Sequence, residues 1–186
     1  MPDEVRAAAA SLVHNSVYAV GLGFRGKRTG SKCWMYFPED NCPFYRVTNF
    51  HNYSPYNVPG GDVDNFFSLM CETSYSPYKP IAKDAVVADT IQGLVNSGMI
   101  EERDRDQIVS RYLIDVPYAY PVPTTGRDAA LAVIQPFLEA YQVYSRGRFG
   151  AWKYEVGNMD HSFMQGVEVV DRLLDGTPER TLHGQV

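Results

Sequence analysis

VYAVGLGF, residues 17–24, is apolar at every position, and it says more about the fold than any other stretch. It is too short for an ordinary helix but suits a strand, and a strand apolar on both faces belongs inside a sheet. Further strands are expected at 33–37, 44–51 and 66–72, parted by turns rich in proline, asparagine and glycine, the pattern of an antiparallel arrangement. A long strand over 107–120 and a last one over 142–155 bring the expected total to about five to six. Helices are predicted over 4–13, 84–96, 127–141 and 160–174. In the second, Val86, Val87, Ile91, Leu94 and Val95 recur at helical spacing and Gly98 stops the run. The third bends or restarts at Pro136, and the fourth carries Phe163, Val167, Val170 and Leu174 on one side. The class is therefore α+β, a mainly antiparallel sheet with flanking helices. Residues 1–175 are expected to form one domain and 176–186 a polar, fraying tail.

Composition narrows the function. A hydrophobic share of 45% and a charged share of 21% are those of an ordinary globular protein. With a net charge of -5 and no basic run, nucleic acid and membrane surfaces are not expected partners, so any anion must be held by a few placed cations. Cys33, Cys42 and Cys71 are an odd set without C-x-x-C spacing, which disfavours disulfides and zinc and points to a reducing cytosol. The apolar run Ala7 to Val13 is short, interrupted and preceded by Asp3 and Glu4, so it reads as a helix and not a signal peptide. No segment approaches the roughly 20 apolar residues that span a bilayer. GLGFRG at 21–26 does not open a helix and is not read as a dinucleotide fingerprint.

Alternation along strands groups the candidate site residues. In CWMYF (33–37), Trp34 and Tyr36 share a face; in RFGAWKY (148–154), Arg148, Gly150, Trp152 and Tyr154 would share another; Tyr112, Tyr118 and Tyr120 fall together on the strand before it. Arg46 lies between apolar neighbours. A face with two arginines and several tyrosines suits phosphate oxygens, because guanidinium forks bind them bidentately and phenols add donors without charge. The alternative is ordinary ion pairing of Arg46 and Arg148 with Glu39, Asp40 or Glu155. In GNMDHSFMQG (157–166), Gly157 permits an unusual turn and Asn158 or Asp160 can cap a helix whose first amides favour a negative partner; a routine capped helix and a structural His161 are the alternative.

Four stretches together resemble the C-terminal part of UDP-galactopyranose mutase, in its eukaryotic-type branch: KCWMYFPEDNCPFYRVTNFHNYSPYN (32–57), IQGLVNSGMI (91–100), YAYPVPT (118–124) and SRGRFGAWKYEVGNMDHSFMQGVEVVD (145–171). The resemblance implies the substrate domain of a flavin amine-oxidase-like fold. It also implies a ring contraction of UDP-galactopyranose to UDP-galactofuranose without net redox change, in which reduced FAD acts through N5 while UDP leaves and is recaptured. It assigns Arg46 and Arg148 to the diphosphate, Tyr36, Tyr120 and Tyr154 as donors to it, and Trp34 to the sugar. Asn158, at the substrate and the flavin, is joined by Gly157, Met159, Asp160 and His161 on the flavin side; no metal is implied. The family's glycine fingerprint and flavin-covering loops are missing, so an FAD-binding half is needed in cis or in trans, and an oligomer is expected from the apolar surface left without it. A non-catalytic nucleotide-sugar-binding or scaffold module, or half of a related flavin oxidase, are the alternatives.

Overall fold

The computed structural model describes residues 1–184 and divides into two compact units, residues 16–117 and residues 1–15 with 118–186. Strands β1 (His14–Arg25), β2 (Trp34–Tyr36), β3 (Arg46–Asn49), β4 (Phe66–Tyr75) and β5 (Ile108–Pro121) form one antiparallel sheet in the order β2-β3-β4-β1-β5. The expected interior strand is thus second from an edge, hydrogen-bonded on both sides. Its register with β4 sets Val20 opposite Cys71, Leu22 opposite Leu69 and Phe24 opposite Phe67.

One face of β1 builds the core of the 16–117 unit. Tyr18, Val20, Leu22 and Phe24 pack with Val47, Phe67, Leu69, Cys71 and with Val86, Ile91 and Leu94 of helix α2 (Val86–Asn96). The Phe24 and Phe67 rings stack at 4.6 Å. The other face of the same strand carries Ala19, Gly21 and Gly23, apolar only by being small. They floor a groove of about 610 Å³ whose sides include Phe50, Phe66, Met70, Tyr112 and Ile114. β1 therefore reads as apolar on both faces for two reasons, a core on one side and an open depression on the other.

The second unit is helical. Helices α1 (Asp3–Ala10) and α3 (Arg127–Ala140) pack together, and α5 (Met159–Asp175) carries the short helix α4 (Gly147–Gly150) against it. Helix α3 runs unbroken through Pro136 instead of restarting there. The strand expected over 142–155 does not form: the chain turns at Gln142, with φ 59°, makes α4, and passes through Trp152 at φ 54° to a 3₁₀ turn at Tyr154–Val156. Gly147, at φ 82°, and Gly150, where a Cβ would stand 2.9 Å from the Ser145 carbonyl carbon, demand the compact path that a strand cannot follow. The segment 44–51 is likewise shortened, since β3 ends at Asn49 and a 3₁₀ turn follows at Phe50–Asn52. The tail does not fray over 176–184: Glu179 and Thr181 are buried, and residues 185 and 186 lie outside the described residues.

Gly93 gives this fold a sharp test. Glycine inside a helix ordinarily costs about 1 kcal/mol relative to alanine. Here an added Cβ would lie 2.7 Å from Pro43 Cδ and 2.9 Å from Cys42 Cβ. Gly93→Ala should therefore destabilise the protein by about 1–3 kcal/mol in denaturant unfolding, and a stabilised variant would contradict this packing.

Candidate functional site

The 16–117 unit places Trp34, Tyr36 and Arg46 together. In the antiparallel register Tyr36 faces Arg46, and Arg46 faces Glu72 on the next strand. The Arg46 guanidinium stands 5.1 Å from the Trp34 ring and donates to both Glu72 oxygens at 2.6 Å. Glu72 also accepts from the Tyr45 hydroxyl. The pair is largely dry, with side chains 15% and 8% exposed, whereas Trp34 and Tyr36 are open to solvent. Arg46 thus does pair with a carboxylate, that of Glu72. Glu72 went unrecognised in the sequence, where one acid in FFSLMCETSY has no marking beyond its place in an otherwise buried strand.

The helical unit brings Tyr120, Arg148, Tyr154 and Gly157 together, by a wrapped loop and not by a strand face. Arg148 Nε donates to the Gly157 carbonyl at 2.8 Å, its guanidinium carbon lies 4.7 Å from the Tyr120 ring centroid, and the Tyr120 and Tyr154 rings meet edge to face at 5.7 Å. Among the described residues no carboxylate pairs with Arg148. Glu155, the alternative partner, is held instead by a bidentate bond from Arg127 at 2.9 Å; burial opposes its charge, but the Arg127 guanidinium outweighs that and lowers its pKa. Gly157 is required because a Cβ there would lie 2.9 Å from the Lys153 carbonyl oxygen and 3.3 Å from Arg148 Cγ.

Trp152 does not join this group. Its indole donates to the Val13 carbonyl and its ring packs on Phe149 and His14. A left-handed backbone at a bulky residue costs roughly 1–2 kcal/mol and persists only where its surroundings fix it. Much of that fixing comes from Gln165, fully buried, which accepts from the Gly147 amide at 2.8 Å and donates to the Val156 carbonyl at 2.9 Å. Its signal in the sequence was slight, a lone amide on a helix face otherwise read for its apolar stripe.

Helix α5 starts at Met159 with Asn158 in the capping position and extended, but its side chain makes no capping bond. Asp160 sits in the first turn, Met159 is 89% exposed, and His161 Nδ1 is buried without a hydrogen-bond partner. The first amides of such a helix have no partner within it and favour electron-rich groups. Burial pushes the Cys71 and Cys42 thiols up, so neither is an activated nucleophile. Among the described residues no group of His, Cys, Asp or Glu could hold a metal, and no helix is long and apolar enough to cross a membrane.

No family model matches the chain. Among solved structures, it is similar to the reduced form of UDP-galactopyranose mutase, at 44% identity and a TM-score of 0.91, over 98% of this chain and 38% of that one. It thus spans well under half of the mutase it matches. A protein of Exiguobacterium sp. 255-15 assigned as a protoporphyrinogen oxidase shares the fold, at 11% identity and a TM-score of 0.54, over 73% of this chain and 30% of that one.

Removing one partner of the buried Arg46–Glu72 pair leaves an uncompensated charge. Glu72→Ala should cost about 3 kcal/mol in unfolding free energy, while the Arg46→Met, Glu72→Met double variant should recover most of it. A single variant as stable as the parent would show the pair to be idle.

Proposed function

Since the chain matches part of UDP-galactopyranose mutase in sequence and fold, we propose that it is the C-terminal, substrate-clamping portion of a eukaryotic-type mutase-like flavoenzyme, completed by an FAD-binding half. The carrying observation is Arg148: a guanidinium oriented by the Gly157 carbonyl and the Tyr120 ring, with no carboxylate paired to it among the described residues. Its full charge meets the negative charge that grows on a departing diphosphate, and the Tyr154 and Tyr120 hydroxyls add donors beside it. Arg46 contributes a second guanidinium and Tyr36 a further phenol, while exposed Trp34 offers its ring to the sugar. Arg46 arrives with Glu72 attached, so it adds hydrogen-bond direction more than net charge.

The chain's residues fit one wall of a flavin site. The α5 amides, exposed Met159, Asn158 and the orphaned His161 Nδ1 suit the electron-rich edge of a flat ring, and Gly157 lets the loop before them pack tightly on itself. Reduced FAD, when bound, supplies a nucleophilic ring nitrogen with no net oxidation. The rest of the cofactor would belong to the partner half, and exposed apolar residues of helix α5 support a docking surface for that half. Met159, Phe163, Val170 and Leu174 are 89%, 73%, 49% and 80% exposed, an apolar stripe on a helix in water. The three free thiols accord with a reducing, cytosolic setting.

Three measurements test this reading. In the enzyme completed by an FAD-binding half, Arg148→Ala should lower turnover by about 100-fold or more, as loss of a preorganised charge-stabilising donor does; turnover within about twofold of the parent removes Arg148 from the site. UDP binding by the chain with no flavoprotein able to complete it would favour a binding module instead. Light scattering should show the chain alone associating with itself, and Phe163→Asp with Leu174→Asp should return it to a monomer; a parent chain monomeric at high concentration contradicts the exposed stripe as a docking face.

A further inference from the structure

Four side chains around the end of α5 form an ionic knot, dry at Arg146 and Glu179 and partly exposed at Glu139 and Arg172. Arg146 donates through Nε and Nη2 to the two oxygens of Glu179, and through Nη2 to Glu139 at 2.8 Å. Arg172 reaches the same two acids, Glu139 at 3.1 Å and Glu179 at 3.0 Å. Arg146 and Glu179 side chains are only 6% and 2% exposed. Glu179 comes from the segment after α5, which turns back at Gly176 in a left-handed conformation and lies along the helix. Glu168 holds that segment there, accepting from the Arg180 and Thr181 amides and from the Thr181 hydroxyl at 2.9 Å. Further on, Lys153 Nζ donates to the Leu182 carbonyl at 2.9 Å.

The strap over 176–184 therefore grips the loop at two points, Arg146 and Lys153. Between them lie α4, Arg148 and the left-handed Trp152; Tyr154 follows directly. Two arginines and two acids make the knot neutral; without Glu179, two guanidinium groups would share one carboxylate in a largely dry setting, which a protein relieves by moving the buried charge toward water. Arg146 lies two residues before Arg148, so any backbone shift that accompanies its move toward water displaces the loop that carries Arg148.

We propose that Glu179 is a positioning residue for Arg148: the 176–184 strap sets the loop over 146–157, and the Glu179–Arg146 bond is its main fastening. The link to function rests on Arg148 being the diphosphate ligand, but the link to loop order does not. The strap also makes the conformation of Arg148 depend on residues about thirty positions further along the chain.

The test uses the full chain and point variants, read by amide hydrogen exchange and by the indole resonances of its two tryptophans, Trp152 beside the loop and Trp34 on β2 as an internal control. Glu179→Gln should raise exchange over 147–157 by about tenfold or more and shift the Trp152 indole signal while leaving that of Trp34 in place. Glu168→Ala, which removes all three strap bonds to that acid but keeps the knot neutral, should raise exchange over 177–184 and disturb 147–157 much less. Glu179→Asp, retaining the carboxylate, should restore part of the protection and serves the same comparison if Glu179→Gln does not fold. Exchange that rises only over 176–184 in the Glu179 variants would overturn the proposal and leave the strap as local packing. Calorimetry with UDP separates the two readings: loop protection that depends on Glu179 in a chain whose completed enzyme never binds UDP keeps the strap and removes the function, while UDP binding with an indifferent loop does the reverse.

Discussion

The buried amide of Gln165 is the contact on which the helical unit depends. It bonds Gly147 on one side and Val156 on the other, so one side chain closes a loop that has no strand to pair with. A backbone without a ladder must find partners elsewhere for every buried N–H and C=O. Here short-range backbone bonds such as Ala151 to Gly147 are supplemented by side chains, Gln135 to the Gly150 carbonyl, Arg148 to Gly157 and Gln165 to both flanks. Most of the loop's shape is thus written in residues of α3 and α5 and not in the loop itself. Polar side chains with directional bonds hold a guanidinium in one orientation more firmly than apolar packing would, which is what a preorganised cation requires.

The sheet unit solves a different problem. Its core lies on one face, where large aliphatic and aromatic residues of β1, β3 and β4 meet α2, and the other face is left with small residues and with the Arg46–Glu72 pair. Large side chains on both faces would have filled the groove that Ala19, Gly21 and Gly23 leave open. Close packing on one side and emptiness on the other let a single sheet serve as scaffold and as surface.

How much of this was legible follows from how local each signal is. The sheet could be read because VYAVGLGF and FFSLMCETSY combine β-forming residues with clear turns on either side, and α2 because five apolar residues repeat at helical spacing ahead of Gly98. The alternation of Trp34 with Tyr36, and their nearness to Arg46, survived because those residues do lie on paired strands. The same rule failed over 142–155. Aromatic and apolar residues there look like a strand, but Gly147, Gly150 and Gly157 and the bonds from Gln165 lead the chain into a compact loop. Arg148, Tyr120 and Tyr154 still meet, for a reason no periodicity expresses. Glu72, Gln165 and Glu179 were invisible for one common cause: each is an ordinary polar residue whose importance lies in a partner distant along the chain.

The carboxylate that faces Arg46 acts as a tethered competitor. Because Glu72 is fixed on the neighbouring strand, it stands at a high effective concentration next to the guanidinium, far above that of any small anion free in solution. A singly charged ion gains little by displacing it. A ligand that engages several donors at once would have more to gain beside this pair than a small singly charged ion such as chloride or acetate. Any selectivity of that kind would come from an anion built into the protein, before contact with the rest of a ligand is made.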